Sequence, residues 1–144
     1  MTPAYFDTSV LVKNYVQEAG SARAGELLRS HTFLSSSISP VELMSALMRR
    51  KARRELREED MPGILARVRH DRPYWKLVDV SAPLLAQAEE IIQKVRMRAL
   101  DAIHIASLLT FQAAAATRIP FITGDGSQRE AAERMNLDVV WVGS

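Results

Sequence analysis

Short apolar runs alternate along the chain with longer segments in which apolar residues recur at helical spacing. The apolar runs predict buried strands at residues 4–6, 32–38, 77–80, 121–123 and 139–142. The longer segments predict helices at residues 8–15, 21–28, 39–57, 58–72, 84–95, 100–116 and 131–135. Strands that alternate with helices in this way predict an α/β domain with a parallel sheet covered on both faces.

Two helix ends carry recognisable signals. Ser39 is predicted to be an N-cap, with Pro40 at the first helical position and Glu42 closing a capping box. Gly20 is predicted to end the first helix. These signals place Glu42 in the first turn of the helix that follows the second strand.

The composition fits one globular domain. The chain has 144 residues, 47% of them hydrophobic and 25% charged, which predicts a single domain over residues 1–144. No cysteine is present, so disulfides, thiolate zinc sites and a cysteine nucleophile are excluded. The longest stretch without Asp, Glu, Lys or Arg, residues 102–117, is too short to span a bilayer. No basic-then-apolar signal pattern opens the chain, so we expect a soluble, cytoplasmic protein.

The charge is unevenly distributed along the chain. Residues 49–76 hold ten Lys or Arg and five Asp or Glu, a net charge of +5, whereas the rest of the chain has a net charge of −3. A basic block beside an acidic body favours contact with a polyanion on one face. A solvated helix surface is the alternative interpretation of the same residues.

Acidic residues follow three of the predicted strands. Asp7 directly follows the first strand, and Asp125 lies two residues after the fourth. Glu42 follows the second strand, and Asp101 lies near the start of the 100–116 helix. Because the carboxyl ends of parallel strands meet at one edge of a sheet, we expect these acids to converge there, Asp101 included if its helix starts at that edge.

Converging carboxylates repel one another, and burial raises their pKa values, unless a cation neutralises them. Mg²⁺ and Mn²⁺ take such oxygen ligands, so the set predicts a metal site. Taken alone, Glu42 is also explained as a capping-box residue, Asp101 as a helix-start charge and Asp125 as a turn residue. Asp7 is harder to explain otherwise, because a carboxylate at the end of a buried strand needs a partner.

Three further polar residues lie close to these acids in the sequence. Ser9, like Thr8 before it, could cap a helix or orient Asp7, and Thr123 could be a strand residue or a hydroxyl near the site. His104 lies one turn after Asp101 on the same helix face. A packed core histidine is the simpler interpretation of that position, and a metal ligand is the alternative.

Four motifs, in this order, carry a family resemblance. They are Tyr5-Phe6-Asp7-Thr8-Ser9, Ser39-Pro40-Val41-Glu42-Leu43, Arg98-Ala99-Leu100-Asp101-Ala102-Ile103-His104-Ile105-Ala106 and Phe121-Ile122-Thr123-Gly124-Asp125. The sequence resembles PIN-domain ribonucleases, and among them the VapC toxins of type II toxin–antitoxin pairs, over essentially its whole length. The resemblance implies a three-layer α/β/α, Rossmann-like domain with a central parallel sheet of four or five strands.

The resemblance also implies a site and its ligands. The residues implied as catalytic acids and as ligands of Mg²⁺ or Mn²⁺ are Asp7, Glu42, Asp101 and Asp125. Those implied to support them are Ser9, Thr123 and His104. Gly126 and Gln128 depart from the family pattern, which often has a large polar residue and a further acid or Asn at these positions. One metal ion is therefore predicted, and a second is left open.

The implied partners are RNA, a small VapB-like antitoxin and a second copy of the chain. The arginines predicted to contact RNA phosphates are Arg96, Arg98, Arg49, Arg50, Arg53 and Arg54. Arg96 and Arg98 shortly precede Asp101 and are the nearer candidates, whereas the 49–57 run leads away from the acids along its helix. That run could instead face an acidic antitoxin segment or the solvent.

We therefore expect a metal-dependent endoribonuclease that hydrolyses tRNA, rRNA or mRNA as the toxin of a toxin–antitoxin pair. A non-catalytic PIN-like module that binds RNA or protein is the alternative, although degenerate sites usually lose acids and all four are present. A phosphatase with an aspartyl-phosphate intermediate is disfavoured. That chemistry needs an Asp two residues after the first, where Ser9 stands, and a late lysine, whereas none follows Lys94.

Overall fold

One parallel sheet of five strands lies at the centre of the computed structural model, which describes residues 1–143. The strands are β1 (Pro3–Phe6), β2 (Thr32–Ser36), β3 (Lys76–Val78), β4 (Phe121–Thr123) and β5 (Val139–Trp141). Their order across the sheet is β3-β2-β1-β4-β5, and each neighbouring pair is parallel. This confirms the predicted α/β fold and places β1 at the centre of the sheet.

Seven α-helices connect these strands within residues 1–143. They are α1 (Thr8–Tyr15), α2 (Ser21–Ser30), α3 (Ser39–Ala52), α4 (Met61–Asp71), α5 (Ala82–Lys94), α6 (Ala99–Ala115) and α7 (Gly126–Arg134). Two short 3-10 helices, Glu58–Asp60 and Arg72–Tyr74, flank α4.

Side chains of β1 alternate between two helical layers. Tyr5 lies in the core built with α5, α6 and α7, whereas Ala4 and Phe6 lie in the core built with α1 and α2. All three side chains are fully buried. A central strand covered on both faces is apolar throughout for this reason, as the 4–6 run predicts.

The register of the sheet brings the ends of β1 and β4 together. Phe6 pairs with Ile122, and the amide of Asp7 donates to the carbonyl of Ile122 at 3.1 Å. Asp7 and Thr123 therefore leave the sheet side by side at its carboxyl edge.

Helix α3 is shorter at its basic end than the sequence predicts. It ends at Ala52, so Arg53 and Arg54 lie beyond it, and the φ of Arg54 is 61°, a left-handed value. The chain turns here, since the amide of Glu55 bonds back to the carbonyl of Arg50 at 2.9 Å. The prediction of one continuous helix through residue 57 is wrong.

The other end of α3 lacks the predicted capping box. Ser39 is the first helical residue, and its hydroxyl is hydrogen-bonded to that of Ser35 at 2.6 Å. Among residues 1–143, no side chain caps this end of the helix. Pro40 does lie in the first turn, as predicted. The Glu42 carboxylate is consequently free for contacts at the edge of the sheet.

Two other helix predictions are corrected by the structure. Residues 58–72 form a 3-10 turn and then α4, with Pro62 in the first turn of the α-helix. Helix α7 begins directly after Asp125 rather than at residue 131. The Asp125 carboxylate accepts hydrogen bonds from the amides of Ser127 and Gln128, which caps this helix.

No helix within residues 1–143 combines the length and apolar character needed to cross a bilayer. The prediction of one domain over residues 1–144 stays a prediction, and its last residue lies outside the described part of the chain.

Gly20 lies in the turn between α1, which already ends at Tyr15, and α2. Its φ is +87°, and a Cβ there would lie 1.8 Å from the carbonyl oxygen of Val142. We expect Gly20→Ala to lower the free energy of unfolding by about 2 to 4 kcal/mol in urea denaturation. Gly63→Ala is the control, since a Cβ on Gly63 meets nothing within 4 Å and stabilises α4 by up to about 1 kcal/mol. Equal stabilities of the two variants would contradict this assignment.

Candidate functional site

The four acids predicted from the sequence line one cavity at the carboxyl edge of the sheet. The cavity has a volume of about 410 Å³ and is lined by Asp7, Glu42, Asp101 and Asp125 together with His104, Ser9 and several cations. We call it the acid cavity. Asp7 comes from the end of β1, Glu42 from α3, Asp101 from α6 and Asp125 from the turn after β4. The predicted convergence of these residues is what the fold produces.

Asp7 is held by two hydroxyls. Ser9 Oγ donates to Oδ1 at 2.5 Å, and Thr123 Oγ1 donates to Oδ2. Each hydroxyl in turn accepts a backbone amide, that of Gly124 at 2.8 Å for Ser9 and that of Asp125 at 3.1 Å for Thr123. The two hydroxyls thus link both oxygens of Asp7 to the backbone of the turn after β4.

Burial raises the pKa of the Asp7 carboxyl to about 6, although His104, Ser9 and Thr123 favour its charged form. The side chain is almost fully enclosed, with 4% of the residue exposed. Asp125 adds negative charge nearby and raises the pKa further. Asp7 is therefore a carboxylate whose charge the protein compensates only in part.

Glu42 is the end of a buried hydrogen-bond chain. Its Oε1 accepts from Thr8 Oγ1 at 2.6 Å and lies 2.7 Å from His104 Nε2. The Nδ1 of His104 lies 2.7 Å from the hydroxyl of Tyr5, a residue with no exposed surface. When the tyrosine donates to Nδ1, the other ring nitrogen carries the proton and donates to Glu42.

Burial alone raises the pKa of Glu42, but His104 and Thr8 outweigh it and hold the pKa below its ordinary value. The interpretation of Glu42 as a capping residue is wrong, because its contacts lie with α1 and α6. His104 is a buried residue that hydrogen-bonds an acid of the cavity, which agrees with its interpretation as a core histidine.

Asp101 and Asp125 share an arginine and a serine. Arg98 Nε lies 3.6 Å from Asp101 Oδ2, and its Nη2 lies 3.8 Å from Asp125 Oδ2. Arg98 Nη2 also donates to Ser127 Oγ at 2.7 Å, and that hydroxyl donates to Asp125 Oδ1 at 2.8 Å. The acids thus have two basic neighbours: Arg98, which the sequence analysis placed near Asp101 as a candidate for phosphate contacts, and His104, which it gave as a supporting residue.

The pKa values of these two acids move in opposite directions. Burial, and then the charge of Asp125, raise the pKa of Asp101 despite Arg98. Burial also acts on Asp125, but the hydroxyl of Ser127 and the amides at the start of α7 hold its pKa below the ordinary value. The helix cap therefore keeps Asp125 ionised beside Asp101.

Gln128 takes no part in lining the acid cavity. It is buried, and its Nε2 donates to the backbone carbonyl of Asp101 at 3.3 Å. Gln128, the residue that departs from the family pattern here, therefore links α7 to the start of α6 through this hydrogen bond.

The predicted RNA-binding arginines divide into three groups. Arg49, Arg50 and Arg53 line the acid cavity, whereas Arg54 does not. Arg96 and Arg98 line a neighbouring groove of about 360 Å³ that also includes Asp101. Two basic surfaces therefore adjoin the acids, one on either side of Asp101.

Sequence reasoning missed several residues of the acid cavity. Lys13 and Glu18 line it, and Ser127, which lines the neighbouring groove, contacts Asp125. Thr8, which was expected to cap a helix or orient Asp7, instead donates to Glu42. Lys13 lies four residues after Ser9 on α1, and this spacing on one helix face could have found it. Glu18 lies in a turn without periodic pattern, so the sequence held no signal for it.

Carboxylate oxygens are the ligands that Mg²⁺ and Mn²⁺ prefer, so the four acids are the residues that could hold such an ion. Within residues 1–143, no three or more His, Asp or Glu side chains form a group ready to hold a metal ion. The hydrogen bonds explain this, since both oxygens of Asp7 and one oxygen of Glu42 face protein donors. The donor chemistry fits a hard cation, and the raised pKa values of Asp7 and Asp101 mark the negative charge that it would neutralise.

Comparisons with known proteins agree on the fold. The sequence model of the PIN domain family matches residues 4–134. Among solved structures, a chain described as "Toxin-antitoxin complex from Klebsiella pneumoniae" is similar with a TM-score of 0.67 at 16% sequence identity, over 95% of each chain. At this identity the likeness shows a shared fold. No curated protein sequence matches this chain.

The raised pKa of Asp7 makes a prediction for the protein without divalent cations. Its pKa is about 6 in the folded protein, whereas the ordinary value is 3.8. The contribution of this carboxyl to the free energy of unfolding is therefore fully present below about pH 4 and is lost as pH rises through 6. We expect Asp7→Asn, in EDTA, to raise the free energy of unfolding at pH 7.5 by about 1 to 2 kcal/mol. The gain is smaller than the shift alone implies, because an amide donates where the carboxylate accepts. Urea denaturation at pH 4.5 and 7.5 measures it, and a less stable variant at pH 7.5 would contradict the assigned cost.

Proposed function

The chain belongs to the PIN domain family, and from this membership we propose that it is a metal-dependent endoribonuclease that acts as the toxin of a toxin–antitoxin pair. PIN domains are generally nucleases. The observation that carries the proposal is the acid cavity, where four carboxylates from distant parts of the chain meet beside basic side chains. Polyanion hydrolysis needs both features, because cations hold the phosphates while the acids serve the reacting centre.

The proposed cofactor is one Mg²⁺ or Mn²⁺ ion. Its proposed ligands, directly or through water, are Asp7, Glu42 and Asp101, while Asp125 orients a water or holds a second ion. When bound, such an ion supplies positive charge that neutralises the carboxylates and the phosphate and makes water a stronger nucleophile.

The chain's own residues position this chemistry. Ser9 and Thr123 fix both oxygens of Asp7, and His104 and Thr8 fix Oε1 of Glu42. These hydrogen bonds orient the acids before substrate arrives, so little reorganisation is needed during the reaction. Water is the proposed nucleophile that attacks the phosphorus, and the leaving ribose oxygen takes up a proton.

A small VapB-like antitoxin and a second copy of the chain are the proposed protein partners. The antitoxin is supported by the structural neighbour, which is described as a toxin–antitoxin complex. Exposed apolar side chains offer surfaces for both partners: Val41, Met44 and Met48 on α3, and Leu85 and Ile92 on α5. Val41, Met44 and Met48 have the i, i+3, i+7 spacing of a single helix face.

Cleavage of RNA tests the proposal directly. Purified protein is incubated with tRNA, rRNA fragments and mRNA in Mg²⁺, Mn²⁺ or EDTA. We expect cleavage only with a divalent cation, and we expect Asp7→Asn to lower its rate by at least about 100-fold because a proposed ligand is neutralised. Asp79→Asn is the matched control, since Asp79 is an exposed acid that follows β3 and lies outside the acid cavity.

The outcomes of this experiment separate the candidate functions. Cleavage that persists in EDTA contradicts the metal dependence. RNA binding without cleavage of any substrate, by a protein whose fold is intact, favours the non-catalytic PIN-like module. Equal loss of activity in Asp79→Asn and Asp7→Asn contradicts the assigned site.

The path of RNA across α3 makes a second prediction. We expect the double variant Arg49→Gln with Arg53→Gln to lose about two phosphate contacts, because both residues line the acid cavity. Its affinity for RNA should therefore fall less steeply as the salt concentration rises. The control pair is Arg54→Gln with Arg57→Gln, which removes the same charge outside the cavity. Affinities are measured in EDTA from 50 to 300 mM salt, about the range over which such contacts weaken. An equal change in slope for both pairs would remove α3 from the RNA path.

A further inference from the structure

In the part of the acid cavity away from Glu42, two cationic side chains contact the same carboxylate. Lys13 Nζ lies 3.3 Å from Glu18 Oε1, and Arg50 Nη2 lies 2.6 Å from Glu18 Oε2. The cations come from α1 and α3, and all three residues line the same cavity as the acids. Each oxygen of the carboxylate therefore faces a different cation.

Lys13 is fixed in place by its surroundings. Only 10% of its side chain is exposed, and Nζ also donates to the carbonyl of Ala19 at 2.8 Å. Its aliphatic stem crosses Gly124, where an added Cβ would lie 2.4 Å from Lys13 Cε. Gly124 lies between Thr123 and Asp125, so the ammonium is held next to the turn that carries Asp125.

We propose that Lys13 and Arg50 form a phosphate-binding subsite beside the acid site, and that Glu18 occupies this subsite when RNA is absent. The inference rests on the proposed function, because it concerns the same cavity and substrate. A phosphodiester presents two charged oxygens on one atom, as a carboxylate does, and Lys and Arg bind such oxygens well. The subsite would hold a phosphate that neighbours the scissile one.

Each cation has a second partner besides Glu18, which can hold it when Glu18 is displaced. Arg50 retains Glu55, whose Oε2 lies 3.3 Å from Arg50 Nε, and Lys13 retains the Ala19 carbonyl. Glu18 itself lies in the irregular turn between α1 and α2. An incoming phosphate therefore competes with one side chain on a turn, and the cations that receive it are already oriented.

The test compares two variants with the same change of charge. Glu18→Gln removes the competing carboxylate, and Glu133→Gln removes a carboxylate that pairs with Arg129 on α7, outside the cavity. Binding of a labelled single-stranded oligouridylate is followed by fluorescence anisotropy in EDTA. We expect Glu18→Gln to bind the oligouridylate about three- to tenfold more tightly than Glu133→Gln does. We also expect its affinity to fall more steeply with salt concentration, by an amount equal to about one additional phosphate contact. Equal or weaker binding would overturn the subsite.

A second pair of variants keeps Glu18 in place. We expect Lys13→Gln to weaken oligouridylate binding more than Lys51→Gln, because Lys51 lies outside the acid cavity and pairs with Glu58. Lys13→Gln should also abolish the gain of Glu18→Gln when the two are combined. Equal effects of the two lysine variants, or a gain that survives in the double variant, would overturn the proposal.

Failure of this subsite and failure of the proposed function give different results. A protein that cleaves RNA through Asp7, but in which Glu18→Gln and Glu133→Gln bind alike, is a nuclease without this subsite. A protein that neither cleaves RNA nor binds the oligouridylate in any variant overturns both. Thermal denaturation of each variant confirms that the comparison is made on folded protein.

Discussion

A carboxylate at the end of the most buried strand is the constraint on which the site depends. Asp7 follows directly on β1, at the centre of the sheet, where only 4% of the residue is exposed. A charge there needs donors from the protein, and the hydroxyls of Ser9 and Thr123 supply them. Those hydroxyls also accept hydrogen bonds from the amides of Gly124 and Asp125. The residues that compensate the charge of Asp7 therefore also fix the conformation of the turn after β4.

The other acids are compensated by different means, and the differences shape the cavity. Glu42 is paired with a buried imidazole, Asp125 caps a helix, and Asp101 contacts the exposed Arg98 and the hydroxyl of Ser127. Asp7 and Asp101 are thus the acids whose charge is least balanced, as their raised pKa values indicate. The lining of the cavity also includes the cations Lys13, Arg49, Arg50 and Arg53, which attract a polyanion towards these acids.

Much of the architecture could be predicted because it depends on local pattern. Buried strands read as apolar runs, and an acid at a strand end stands out, so Asp7 and Asp125 were identified from the sequence. The role of Glu42 could not be predicted in the same way, because a capping box and a contact with His104 require the same residue at the same place. The end of α3 at Ala52 depends on a left-handed Arg54, and basic residues carry no sign of this in the sequence. The contact between Lys13 and Gly124 joins segments far apart in the chain, which only the folded sheet brings together.

The bond between Thr123 and Asp7 spans 116 positions of the chain. A ribosome makes β1 before β4, so the second hydroxyl that binds Asp7 is made only after Asp7 itself has long been in place. The turn that presents Asp125 is not built until then either. Whatever reaction it serves, the site is therefore completed only after both strands have been made and paired in the sheet.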